Sequence, residues 1–214
     1  MYSPVQFQEH DPQLLQALMR DYPLACLITP TSTGTEINHL PLLWRDDGSE
    51  QGVLHGHVAR NNPVWREYDR RRPASAVFQG PNAYISPTWY VGTREHGKVV
   101  PTWNYAVVHA HGRLRVVEDA AWLYRHLAEM TDVQEAGLAS PWALADAPAE
   151  FTGNLLNQII GIEIAVERLE GKWKVSQNQP IANRLGVIAG LQSSSQPQAA
   201  AMADLVRRRL PNGD

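Results

Sequence analysis

The sequence predicts a mainly β, α+β protein: an antiparallel sheet closed into a barrel, with peripheral helices. Three observations predict it. About seven segments carry the alternating or continuous apolar pattern of strands. Most links between them are of hairpin length, which joins neighbours antiparallel. The helical patterns are short and do not alternate regularly with the strands.

The elements follow in order. "DPQLLQALMRDYP" offers Asp11 as a cap and Pro12 at the first helical position. Leu14, Leu15 and Leu18 form one apolar face, and Pro23 stops the helix. "LACLITP" is a buried strand. "TEINHLPLLW" and "GVLHGHVA" are the next two, joined by a turn at Asp46, Asp47 and Gly48. Asn62-Pro63 starts a short helix through Trp65 and Tyr68. "ASAVFQG" and "NAYIS" are strands separated by Gly80-Pro81, and "NYAVVHAHGRLRVV" is a long alternating strand or a hairpin. "EDAAWLYRHLAEM" is a helix with an acidic cap, with Trp122, Leu123, His126, Leu127 and Met130 at helical spacing. "AEFTGNLLNQI" is another helix, and "IGIEIAVERLEGKWKVSQN" a hairpin turning at Glu170-Gly171. A domain over 1–191 is expected, followed by a linker and helical tail over 192–214.

The 214 residues are 43% hydrophobic and 19% charged, enough to bury a sizeable core. A net charge of −3 gives no global pull toward nucleic acid or an acidic membrane. Cys26 is the only cysteine, which excludes an intramolecular disulfide and a cysteine-based zinc site. The N-terminus has neither the basic start nor the apolar stretch of a signal peptide. No apolar run approaches the roughly 20 residues of a membrane span. The cytoplasm is the expected compartment.

Several strands carry polar residues where an apolar core would be simpler: Asn38, His39, His57, Thr102 and Asn104. Something polar is expected to dock there. His55 with His57, and His109 with His111, share strand faces. Hydrogen bonding explains them better than a metal, for no carboxylate stands at a recognisable ligand spacing. Arg60, Asn61 and Asn62 crowd the start of the Pro63 helix. An Arg fork beside free helix N–H groups suits a phosphate; a solvated Arg beside an Asn cap is the plainer alternative. "YISPTWY" and "VPTWNY" are uncharged, aromatic and proline-punctuated. By strand alternation Thr102 and Asn104 face one way, and Trp103 and Tyr105 the other.

"MYSPVQF", "HLPL" (39–42), "GHVARNNP" (56–63), "YISPTWY" (84–90), "VPTWNYAVVHAHG" (100–112) and "GKWKVSQN" (171–178) occur in this order. Together they closely resemble the PaiB family of FMN-binding negative transcriptional regulators, over Met1 to about Leu191. That family lies in the flavin-binding split-barrel superfamily, beside the pyridoxamine phosphate oxidases. Asn62 departs from the small residue expected in "HVARANP". The resemblance implies an antiparallel split β-barrel and a homodimer with FMN at the subunit interface. It implies cofactor contacts from Asn38 or His39 to the ring, and from His57, Arg60 and Asn61 to ribityl and phosphate. Ser86, Trp89, Thr102 and Asn104 would supply walls, donors and acceptors, while other aromatics fill the dimer interface. Gln177 and Asn178 lie late in the chain, as do cofactor-closing residues in the oxidase relatives; a solvated strand end is the plainer alternative. The implied function is a flavin-dependent reductase or oxidase, or a regulator with FMN as a structural or sensing ligand. No acid–base pair stands out to serve as catalytic residues. Direct DNA reading has no helix-turn-helix pattern behind it, only arginine clusters at 66, 70–72 and 207–209. Haem on His39, His57, His109 or His111 is a minor alternative.

Overall fold

The computed structural model describes residues 1–95 and 97–211. The last three positions of the expected tail, 212–214, lie outside the described residues. In chain order the elements are β1 (Gln8–Glu9), α1 (Pro12–Asp21), β2 (Leu24–Pro30), β3 (Thr35–Pro41), β4 (Leu43–Arg45), β5 (Val53–Ala59) and α2 (Val64–Glu67). Then come β6 (Ala74–Ile85), α3 (Gly92–Glu95), β7 (Thr102–Val117), α4 (Ala120–Glu135), α5 (Ala149–Leu156), β8 (Ile159–Lys174), α6 (Ile181–Gln192) and α7 (Ala199–Arg207). Neighbouring strands follow the path β3-β2-β6-β7-β8-β5-β4, with β1 on β8. Among the described residues no ladder joins β3 to β4, so the sheet is open where the sequence reading expected closure.

The chain divides into two compact units, and β6, β7 and β8 run through both. One unit holds Met19–Phe78 and His109–Leu169. Its β8 buries Ile160, Ile162, Ile164 and Val166 at every second position, the pattern of a strand with one face on the core. β5 pairs antiparallel with β8 from Val53↔Ala165 to Ala59↔Ile159. Leu54, Gly56 and Val58 of β5 are buried, while His55 and His57 sit on its other face. α4 contacts that second face. Its Asp119 cap accepts from Trp122 N at 2.5 Å, and Leu123 and His126 are its buried residues. A Cβ on Gly161 would stand 2.6 Å from the Trp122 ring, so the glycine is what lets the indole lie on β8.

The other unit holds Met1–Leu18, Gln79–Val108 and Glu170–Asp214. Asp11 Oδ1 accepts from Gln13 N at 2.9 Å and starts α1 as expected. α6 and α7 pack together and bury Val187, Leu191, Met202 and Val206. Between them, Gln196 bonds both backbone groups of Tyr84, and Gln198 accepts from Asn82 N at 2.9 Å.

The expected split at Gly80-Pro81 and the expected turn at Glu170-Gly171 are absent, and of the two alternatives for β7 the long strand holds; each glycine has another reason. β6 runs unbroken through Gly80-Pro81: the β2 ladder on β6 has ended by Val77, and a Cβ on Gly80 would stand 2.9 Å from Leu18. β7 is one strand, not a hairpin, and a Cβ on Gly112 would run into the Ala165 carbonyl. β8 continues past Glu170-Gly171 because β1 pairs there, Glu9↔Gly171, with Glu9 O 2.7 Å from where a Cβ would be.

Candidate functional site

In the unit that carries β2 to β5, Asn38, His39, His57, Arg60 and Asn61 are the residues expected at the site. Asn38 lies on β3 opposite Leu27, and His39 beside it is exposed. Val64 N donates to Asn62 Oδ1 at 2.9 Å, which fixes that amide with its nitrogen outward. Asn62 Nδ2 then donates to Asn38 Oδ1 at 2.7 Å. Asn38 is thereby turned with Nδ2 as its remaining donor, a buried atom without a partner. The departure at position 62 is therefore a cap that also aims Asn38. Arg60 Nε donates to Asn157 O at 2.8 Å and Nη2 to Ile159 O at 3.4 Å. Its Nη1 pairs with exposed Glu118 at 3.3 Å. The fork thus ties the end of β5 to the start of β8, and only the Glu118 edge exchanges readily. Asn61 is exposed.

His57 turns toward α4. Its Nδ1 lies 3.2 Å from His126 Nε2, so one ring donates and the other accepts. His126 is 2% exposed, stacks on Trp122 with centroids 5.2 Å apart, and has no partner for Nδ1. Burial pushes its pKa down to about 3, helped by the charges that His57, His55 and Arg45 would present. Burial also lowers His57. Nearby, a cleft of about 510 Å³ includes His55, Arg115, Glu129 and Glu163. Several of its charges are paired: Arg115 grips Glu163 at 2.5 and 2.8 Å, His55 Nε2 lies 3.3 Å from Glu163, and Arg45 pairs with Glu129, while Asp46 and Asp47 also line the cleft.

In the other unit are Ser86, Trp89, Thr102 and Asn104. Ser86 caps the 3-10 turn Pro87–Trp89, accepting from Thr88 N at 3.3 Å. Trp89 is half-buried against α6, where Gly190 leaves room for its indole. On β7 the alternation holds. Trp103 is 54% exposed and meets Tyr84 edge-on, whereas Asn104 is 1% exposed. Thr102 Oγ1 accepts from Lys174 Nζ. Asn104 Nδ2 donates to Ser176 Oγ at 2.9 Å, and its Oδ1 is buried without a partner.

Ser176 was not singled out by the sequence. It is the only non-glycine residue with positive φ among the described residues, at 63°. Such a backbone costs energy and persists only where its surroundings enforce it. Here Val175 N donates to Gln177 Oε1 at 2.8 Å, and Gln177 Nε2 returns to the Trp173 carbonyl. Arg184 adds its fork to the carbonyls of Gln177, Gln179 and Arg209. "VSQN" was visible as a motif, but not that its serine is the one inside. His126 was equally hidden, because helical spacing reads it as part of an apolar face.

The family described as "Putative FMN-binding domain" matches residues 1–168. An uncharacterized protein of Emericella nidulans is 33% identical, with 98% of this chain and 97% of that one covered. The protease synthase and sporulation protein PAI 2 of Bacillus subtilis is 30% identical, with 98% of each covered. Among solved structures, the flavocytochrome Anf3 of Azotobacter vinelandii aligns with a TM-score of 0.57 at 11% identity, covering 78% of this chain and 69% of that one. An FAD and heme binding protein of Mycobacterium smegmatis aligns at 0.55 and 15% identity, covering 78% and 73%. The chain belongs to the FMN-binding domain family, the PaiB family of the sequence reading, on the flavin-binding split-barrel fold.

Proposed function

We propose that the protein holds FMN in a homodimer and acts as a flavin-dependent reductase or oxidase in the cytoplasm. Beyond family membership, one observation carries the reading: the open, fully buried Oδ1 of Asn104 in "VPTWNY". A buried acceptor left unpaired costs about 1–3 kcal/mol, and a flat ligand with a polar edge offers the missing donor. In the other unit Asn38 Nδ2 is a buried donor without a partner. The unpaired acceptor of Asn104 therefore fits the polar edge of a flavin. FMN held there would supply two-electron chemistry between a reduced nicotinamide and a small acceptor. The chain's part is to hold and orient: Asn104 acts through its amide and Thr102 through its hydroxyl.

Adding NAD(P)H anaerobically to the purified protein tests this. Flavin absorption that bleaches supports the oxidoreductase. Flavin that stays oxidised while dithionite reduces it overturns an NAD(P)H-fed enzyme and leaves in play the second reading, a regulator with FMN as a structural or sensing ligand. The sporulation-linked name of the Bacillus subtilis relative favours that second reading. A Soret band in place of flavin peaks would point to haem instead.

A further inference from the structure

Resting on the FMN reading, we propose that Asn104, positioned by Ser176 and flanked by Lys174, is the subsite for the imide edge of the ligand ring, with Asn104 Oδ1 accepting the ring N3–H.

Three independent features meet in one unit. The acceptor is unpartnered and its residue is 1% exposed, so solvent does not satisfy it. The residue that bonds the other end of its amide, Ser176, sits at φ 63°, held there by Gln177 and Arg184. A strained backbone with this much scaffolding marks a side chain whose placement is needed. Its hydroxyl is buried and sits on the Asn104 amide nitrogen. The third feature is charge. Lys174 Nζ donates to Thr102 Oγ1, and Thr102 lies two residues from Asn104 on the same face of β7, their Cα atoms about 6.7 Å apart along the strand.

An acceptor beside a cation selects a ligand edge with a donor beside a carbonyl. An imide has that alternation: an N–H between two C=O groups. The pyrimidine portion of an isoalloxazine is such an imide. A phosphate or carboxylate would suit Lys174 but would set oxygen against the oxygen of Asn104. A purely aromatic ligand would leave both polar groups unpaired.

The test is a cycle between ligand and protein. FMN and 3-methyl-FMN, which lacks the N3–H, are titrated into apo-protein, into Asn104→Ala and into Ser176→Gly, with quenching of flavin fluorescence as the readout. Ser176→Gly removes the hydroxyl but suits the positive φ, so it folds even if Asn104→Ala does not. The unmodified protein should prefer FMN over 3-methyl-FMN by about tenfold or more, as for a buried hydrogen bond lost with its partner left unpaired. Asn104→Ala should bring the two ligands within about threefold, and Ser176→Gly should shrink the preference without abolishing it. Equal binding of both ligands by the unmodified protein, or full discrimination by Asn104→Ala, overturns the subsite while FMN binding stands. No binding of either flavin by the unmodified protein overturns the FMN reading and the subsite together.

Discussion

The buried pair His57–His126 couples acidity to stability. In the unfolded chain a histidine titrates near 6.5. In the folded protein His126 stays neutral down to about 3, because burial first, and nearby positive groups second, oppose its protonation. The unfolded chain therefore takes up a proton that the folded one refuses. Stability contributed by neutral His126 is complete above pH 6.5 and is lost as pH falls toward 3. Between pH 6.5 and 5 this one site removes up to about 2 kcal/mol, and His57 adds to it in the same direction. Urea midpoints measured from pH 7 to 4.5 should fall steadily. In His126→Met the fall should be clearly shallower; an unchanged slope would mean that the pair does not titrate this way. Asn62 gives a second residue-level expectation. Asn62→Ala loses the Val64 cap and the Asn38 tie, a cost of about 1–2 kcal/mol by denaturant unfolding, whereas Asn62→Asp keeps the cap and loses less. Arg60→Ala discriminates between two roles. If its exchangeable Nη1 edge meets the FMN phosphate, FMN affinity drops about tenfold or more and riboflavin affinity does not. If the fork only ties β5 to β8, both flavins weaken equally.

At the scale of elements, glycine separates what was legible in the sequence from what was not. Caps and prolines act locally, so Asp11-Pro12, Asp119 and the Asp46–Gly48 turn were readable and stand where expected. Gly80 and Gly171 read as breaks, and the segment around Gly112 as a strand or a hairpin, because a turn and a close backbone approach ask for the same residue. The difference lies in a partner far along the chain: Leu18, Ala165 or Glu9. The same limit hid the site's second half. Ser176 is 72 residues from Asn104, and His126 is 69 from His57. Residue type and alternation did separate buried Asn104 from exposed Trp103, since period two is local. The element-level prediction is Gly112→Ala. Its methyl would meet backbone, not a movable side-chain tip. A loss of more than about 3 kcal/mol, or insoluble expression, is expected on unfolding analysis. A variant as stable as the unmodified chain would mean β7 and β8 are further apart there.

For the whole molecule, the distribution of charge and apolar surface argues for self-association over nucleic acid. A net charge of −3 is doubled in a dimer and repels DNA at long range, so random duplex should bind no tighter than micromolar at physiological salt. Tyr84, Trp103 and Val100 are exposed in one unit, and Leu24 and Ile37 in the other, apolar surface that a second copy would cover. A shared cofactor pocket then predicts a particle of twice 23.9 kDa. Among the described residues no helix is long and apolar enough to cross a membrane. The central claim is that this chain binds FMN through a buried polar site. Its most direct measurement is isothermal titration of FMN into flavin-free protein, with gel filtration of the product monitored at the flavin absorption maximum. Saturation at one FMN per chain is expected, with flavin absorbance co-eluting at the mass of a dimer. Folded protein that takes up no FMN would contradict it.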